Sequence, residues 1–236
     1  TAARYKFTNG TGELVDAITE DGGFDVALNT SVASVQQSEP GVVVTTTDGD
    51  VVNAKRAVVT VPLNLLNSVS FDPPLSAAKQ EASTLKHVGG GYKVFFEVEG
   101  DPGAVMTLSR STDSPLIGSF TYKRGEQHSV LAGFSLEPGA LDKSVDEWQV
   151  VLEEFLPGVK LLSTFGHDWG DDALSQGSWC TYRPGTIARF ANALPQQEGH
   201  LVFASGDHAQ AWRGFIEGAI ASGSSAAVGI AKSLQG

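Results

Sequence analysis

Cysteine is almost missing from this chain: Cys180 is the only one. That excludes an intrachain disulfide, and with no CxxC or Cys/His cluster nothing points to structural zinc. The five histidines show no metal-ligand spacing. Basic residues are scarce, 16 against 27 acidic ones, for a net charge of −11. A surface of that sign repels phosphate, so neither nucleic acid nor an anionic membrane is an expected partner. No apolar run approaches the roughly 18 residues that span a bilayer. Thr1–Lys6 has no apolar leader stretch, so a cytoplasmic protein is the expectation. Three catalytic signatures are absent as well: the G-x-S-x-G elbow of serine nucleophiles, the phosphate loop GxxxxGK[ST], and a G-x-G-x-x-G following a strand. Gly89-Gly90-Gly91 precedes a strand rather than following one, and Gly22-Gly23 has the wrong spacing.

What is present is an ordinary globular composition, 41% hydrophobic and 18% charged over 236 residues, enough for one large or two small domains. Leu14, Val15 and Ile18 predict a helix over Gly12–Thr19. Val26–Leu28 reads as a short strand. Val42–Thr47 and Val51–Ala54 flank Asp48-Gly49-Asp50, a hairpin pattern. Ala57–Val61 is an apolar strand stopped by Pro62. Strands then follow at Gly91–Glu99, Val105–Leu108, Pro115–Tyr122 and Val130–Ser135, separated by turn residues. Ser144-Val145-Asp146-Glu147 is a capping box opening a helix that carries Trp148, Val151, Leu152 and Phe155 and ends at Pro157-Gly158. With a further strand over Lys160–His167, this predicts a mixed or antiparallel sheet with one covered face.

The most informative stretch is His200–Gly223, HLVFASGDHAQAWRGFIEGAIASG. It starts as a buried strand, Leu201–Ala204, breaks at Ser205-Gly206-Asp207, and enters a long glycine-rich helix that runs to about Leu234. Glycine inside a helix costs about 1 kcal/mol, so Gly214, Gly218 and Gly223 suggest close approach by a backbone or a flat ligand. Ile216, Ile220, Ala227 and Ile230 are the expected packed side.

This segment resembles the C-terminal flavin-binding motif of the flavin amine oxidases, carried by Phe203-Ala204-Ser205, Asp207, Trp212 and Gly214-Phe215-Ile216-Glu217-Gly218-Ala219. The resemblance extends over nearly the whole chain. It implies an α/β (α+β) fold: part of a Rossmann-like FAD-binding domain from residues 1–80 and 171–236, and a substrate domain with a mixed β-sheet flanked by helices from residues 81–170. The family's G-x-G-x-x-G unit has no counterpart here, so the resemblance also implies a complementary N-terminal half as partner.

Each site residue has a plain reading beside the implied one. Lys93, in the apolar strand Gly91-Tyr92-Lys93-Val94-Phe95-Phe96, is either an edge lysine with its amine in solvent or a lysine held inward for a purpose. The resemblance implies the second, with Lys93 bonded through water to flavin N5 and favouring reoxidation by O2. Trp179 and Phe215 are core aromatics or, as the resemblance implies, two walls of an aromatic cage perpendicular to the flavin. Ser178 stands where animal monoamine oxidases attach their flavin through cysteine, so noncovalent FAD is expected, with Cys180 two residues on. Asp207 would cap a helix entry or, with Ser205, Gly206, Gly214 and Ile216, hold the cofactor. Val32 matches a backbone contact to adenine. Glu217 is a motif acid or a surface charge, and Arg213 could pair with Asp207 or with an acid of the substrate channel.

The implied activity is oxidation of an amine C–N bond, with a small-molecule amine and O2 as substrates and H2O2 as a product. The alternatives are an L-amino acid oxidase, which needs an arginine for the carboxylate, a carotenoid-type desaturase, which needs neither Lys93 nor the aromatic pair, and a non-catalytic remnant of the fold.

Overall fold

The computed structural model describes residues 7–111 and 113–235; Thr1–Lys6, expected above to carry no leader, lie outside the described residues. The chain is mixed α/β, with strands gathered into three sheets. Helix α1 (Gly12–Gly22) buries no side chain. Strands β1 (Val32–Ser38), β2 (Gly41–Thr46), β3 (Val51–Ala54) and β5 (Ser70–Asp72) form a sheet in the order β3-β2-β1-β5. β1–β5 is parallel and the other pairs are antiparallel. The hairpin expected across Asp48-Gly49-Asp50 is there, with Thr45 opposite Val51. The strand expected at Val26–Leu28 is not: Val26 and Ala27 are irregular and lead into a turn at Leu28-Asn29, and Val32–Ser38 is the strand instead. Only Val35 is buried along it. Its conformation is set by partners on both edges, and its own pattern is too polar to announce it.

Strand β4 (Ala57–Val59) pairs in parallel with β11 (Leu201–Phe203), sequence-distant but in register, with Val58 opposite Val202. Leu66, Leu201, Phe203 and Val59 share a core with Val35 and Val42 of the first sheet. Helix α2 (Ala77–Leu85) reaches the same region through Lys79. The Lys79 side chain is 0% exposed, 2.7 Å from Glu198, and its Nζ lies 4.2 Å above the centre of the Phe203 ring.

The third sheet is built from residues 92–166 alone. Strands β6 (Tyr92–Glu99), β7 (Met106–Leu108), β8 (Gly118–Lys123), β9 (His128–Ser135) and β10 (Leu161–Gly166) run in the order β10-β6-β9-β8-β7. Every pair is antiparallel, so of the two arrangements expected it is the antiparallel one. Helix α3 (Val145–Phe155) covers one face, started by the capping box in which Ser144 and Glu147 bond each other's main chain. Val94, Phe96, Val98 and Leu131 point at it and bury Trp148 and Leu152 completely. The Phe96 and Trp148 rings meet edge to face at 5.1 Å.

Helix α4 (Thr186–Phe190) leads back towards β11, and the chain closes with α5 (Ile216–Gln235). Two expectations change here. Helix α5 begins at Ile216, so Gly214 and Asp207 lie in the loop before it, and Gly214 takes a left-handed φ of 78°. The packed side is not Ile216, Ile220 and Ala227, which are exposed, but Gly218, Ser222, Ala226 and Ile230, a row at four-residue spacing. Gly218 is required there, because a Cβ would stand 2.3 Å from the carbonyl oxygen of Trp212. Among the described residues no helix is long and apolar enough to cross a membrane.

Candidate active site

The sheet face away from α3 holds the site. A sheet covered on one side normally turns polar residues outward. Residues directly opposite each other share a face, and Lys93 faces Phe134, Phe95 faces Ala132 and Phe165, and Phe120 faces Ala132. The part of the outer face around Lys93 is therefore aromatic. The Lys93 Nζ is 5.8 Å from the centre of the Phe134 ring. Trp179, from the loop before α4, comes to 5.9 Å from the same ring. Lys93 and Trp179 are thus both neighbours of the Phe134 ring.

Glycine lets Trp179 sit there. A Cβ on Gly91 would stand 2.0 Å from the Trp179 ring, and one on Gly89 would stand 1.6 Å from its carbonyl oxygen. The loop is tied to the strand entry by hydrogen bonds from the Ser178 main-chain N–H, 2.7 Å, and Oγ, 3.1 Å, to the Gly89 carbonyl. The triplet Gly89-Gly90-Gly91 is the seat of the tryptophan loop.

Lys93 and Trp179 line a cavity of about 600 Å³. Asp207 and His87 line it too, and the lining continues over Phe95 and Phe165 to Trp169. Asp207 does not cap the entry of α5, which begins nine residues later. Its Oδ2 accepts from the Leu63 N–H at 2.9 Å, at the start of the 3-10 helix Leu63–Ser68, and its main-chain carbonyl accepts from Arg213 at 2.6 Å. Arg213 thus meets the Asp207 backbone, not its carboxylate.

The other expected residues are outside the cavity lining. Ser205 Oγ accepts from the Asp207 and His208 N–H groups. Gly206 accepts from the Gly214 N–H at 2.9 Å. Gly214 approaches the second loop so closely that a Cβ would be 2.7 Å from Cys180 Cβ, which sets the segment leading to Phe215 beside the segment carrying Trp179. Phe215 is 64% exposed and Trp212 67%, meeting edge to face at 6.1 Å. Ile216 opens α5 and is exposed, and Val32 opens β1, on the first sheet. Glu217 is an exposed acid in the first turn of α5.

His87 was not singled out in the sequence. It is buried, its Nδ1 has no hydrogen-bond partner among the described residues, and burial holds its pKa below the usual histidine value against the opposing pull of Asp207. Its main chain is fixed by Asn64, whose Oδ1 accepts from the His87 N–H at 2.8 Å. Phe95 and Phe165 were also passed over, although two-residue alternation from Lys93 puts Phe95 on the same face.

Cys180 is in contact with Tyr182, Sγ to Oη 3.3 Å, and burial pushes its thiol pKa up to about 12. Such a thiol is not a nucleophile near neutral pH.

These residues fit a flat, partly apolar cofactor. Large aromatic side chains stand exposed beside a backbone kept bare by Gly206 and Gly214, and the lining carries one lysine and one carboxylate. A profile of the family described as flavin containing amine oxidoreductase matches residues 2–231.

The chain belongs to that family.

Pseudooxynicotine dehydrogenase of a Pseudomonas species is 39% identical over 240 residues, covering 99% of this chain and 48% of that protein. (S)-6-hydroxynicotine oxidase of Paenarthrobacter nicotinovorans is 27% identical, covering 91% of this chain and 50% of that protein. Among solved structures, putrescine oxidase bound to putrescine superposes with a TM-score of 0.83 at 22% identity, over 94% of this chain and 53% of the other; that likeness is one of fold. The chain spans about half the length of the relatives it matches.

Proposed function

We propose that this chain is the C-terminal part of an FAD-dependent amine oxidase that binds its cofactor noncovalently. The observation that carries the reading is that Lys93 and Trp179, both neighbours of the Phe134 ring, line one cavity with Asp207. FAD, when bound, contributes a two-electron acceptor that O2 can reoxidise.

The residues of this chain then have defined work. Trp179 and Phe215 would hold the cofactor and present aromatic faces to the amine. Those faces exclude water and favour a neutral or partly charged nitrogen. The amine loses two electrons and two protons, its C–N bond becomes C=N, and the imine adds water and breaks at that bond into the carbonyl product and ammonia or a smaller amine. The matching gain of two electrons and two protons converts O2 to H2O2. Lys93 would place a positive charge beside the oxygen as charge develops on it, which is electrostatic catalysis. Asp207, with Ser205, Gly206, Gly214 and Ile216, would hold the polar part of the cofactor, and Val32 a more distant part through its main chain. The serine at 178 and the unreactive Cys180 thiol both support a noncovalent cofactor.

Residues 1–80 and 171–236 would belong to the cofactor domain, and residues 81–170 to the substrate domain. A complementary half is part of this proposal. Its support is the pair β4–β11, a two-stranded parallel sheet, since parallel strands normally lie inside larger sheets. The exposed apolar side of α5 adds to that support.

The decisive experiment is to purify the protein together with that half, load it with FAD and add amines without oxygen. Bleaching of the flavin absorbance supports the reading, and unchanged absorbance with every amine tried contradicts it.

A further inference from the structure

His87 stands in the wall of the cavity with a ring that makes no hydrogen bond. It is 6% exposed, its Nδ1 is sealed from solvent without a partner, and its Nε2 has no partner among the described residues. A buried ring nitrogen left in that state is destabilising unless something outside the chain comes to it.

The surrounding structure nevertheless fixes the ring in place. Asn64, itself buried, accepts from the His87 N–H at 2.8 Å through Oδ1 and donates through Nδ2 to the His87 carbonyl at 3.3 Å and the Gln176 carbonyl at 2.7 Å. That ties the segment of His87 to the segment of Gly177. Lys86 and Gln176, the residues just before those two, have positive φ of 56° and 51°, a region that residues other than glycine rarely enter. Lys86 Nζ donates to Gln176 Oε1 at 2.6 Å. Gly177 leaves the space for the imidazole, because a Cβ there would run into Cε1 of the ring. Two strained residues, a buried amide and a required glycine thus hold a histidine that completes no side-chain hydrogen bond within the chain. Backbone strain of this kind collects where a ligand is held.

The cavity is where the missing partner can enter. His87 lines it together with Gly177, Ser178 and Asp207. Burial favours the neutral imidazole, with Asp207 pulling the other way. A neutral imidazole carries one N–H. With Nδ1 sealed, that proton has a use only on Nε2, at the edge of the ring that lies against Gly177. The ring therefore offers the cavity one uncharged donor beside the carboxylate of Asp207. An ammonium has no lone pair to accept such a bond, so a protonated amine is not its partner. A flavin, with carbonyl oxygens, ring nitrogens and ribityl hydroxyls, has several acceptors.

We propose that His87 is a cofactor-holding residue, and that its Nε2–H donates a hydrogen bond to an acceptor atom of the bound flavin. This rests on the reading above for the identity of the cofactor, and it is tested by binding and stability without turnover.

The test is FAD binding and thermal unfolding of the protein, with its complementary half, for the parent, His87→Leu and His87→Gln. Leucine fills a similar volume without polar atoms, and glutamine can place an N–H close to where Nε2 stands. FAD affinity, read from flavin fluorescence, should fall about 3- to 10-fold in His87→Leu and change less than about twofold in His87→Gln, the range of one hydrogen bond to a neutral acceptor. The FAD-free form of His87→Leu should unfold at the parental temperature or above it, because its unpartnered nitrogens are gone. A merely structural histidine would lower that temperature. Unchanged FAD affinity in His87→Leu, an equal loss in His87→Gln, or a FAD-free His87→Leu that unfolds at a lower temperature would each overturn the assignment. The predicted binding pattern with no amine able to bleach the bound flavin would keep His87 in its role and overturn the oxidase reading alone. A parent protein that binds no FAD would overturn both.

Discussion

The α-carbon of Gly91 lies against the indole of Trp179, with room for a hydrogen atom and nothing larger. Gly91→Ala must push the ring away from Phe134 and Lys93. The expected result is a loss of about 1–3 kcal/mol in stability from overpacking and a fall of tenfold or more in kcat/KM. Tryptophan fluorescence of the variant should shift as the ring moves. Unchanged emission and activity would show that the loop can step aside.

Lys93→Met removes the positive charge and keeps the length of the side chain. Reoxidation of the reduced flavin by O2 should slow by about 100-fold, the scale of losing one electrostatic contact to developing charge. Reduction by the amine should change far less. Stopped-flow absorbance separates the two half-reactions. Reoxidation at the parental rate would remove Lys93 from the chemistry, and the relatives named dehydrogenases make that comparison informative.

His208 is wholly buried beside Phe203, and desolvation pushes its pKa down to about 4, helped by Lys79 and Arg213 and opposed by Asp207. The unfolded chain takes up this proton near pH 6.5, while the folded chain resists until about pH 4. The stabilising effect of neutral burial is therefore complete above pH 6.5 and is lost as pH falls towards 4. Urea unfolding at pH 7.5 and 5.0 should differ by about 2 kcal/mol. His87, whose pKa is also lowered by burial, acts in the same direction. His208→Gln should flatten the dependence, and an equally steep variant would assign it elsewhere.

Lys79 and Glu198 join α2 to the turn before β11. Lys79→Met leaves Ser76, through its N–H and its side chain, as the remaining partner of the Glu198 carboxylate and should cost about 3 kcal/mol. Adding Glu198→Leu should recover much of that loss, because removing both charges also removes their burial. Urea unfolding of the single and double variants checks both statements.

Denaturing the flavin-loaded protein should release all of its flavin, and the native Cys180 thiol should react slowly with a disulfide reagent. Flavin that stays on the polypeptide, or a fast-reacting thiol, would contradict the noncovalent reading.

The sequence announced some of this and hid the rest for physical reasons. The capping box at Ser144 and the turn at Asp48-Gly49-Asp50 are local devices, and both were legible. Strand β1 was not, because its conformation comes from β2 and β5 and not from its own side chains. The true start of α5 was hidden because Gly214, read as helical, takes a left-handed φ. Lys93 and Trp179 were visible as residue types in telling contexts. Their shared nearness to Phe134 depends on strand pairing between residues 93 and 134, a register that no local pattern states. His87 was invisible for the same reason, since its neighbours come from residues 64, 177 and 182.

The central claim is that the site on the aromatic face of the five-stranded sheet oxidises amines with a bound flavin. The most direct measurement is the visible spectrum of the FAD-loaded protein, paired with its complementary half, mixed with a panel of primary and secondary amines first without oxygen and then with it. Bleaching, followed by recovery of the oxidised bands with one H2O2 formed per amine consumed, is the predicted result. Oxidised bands that persist through prolonged incubation with every amine of the panel would contradict the account.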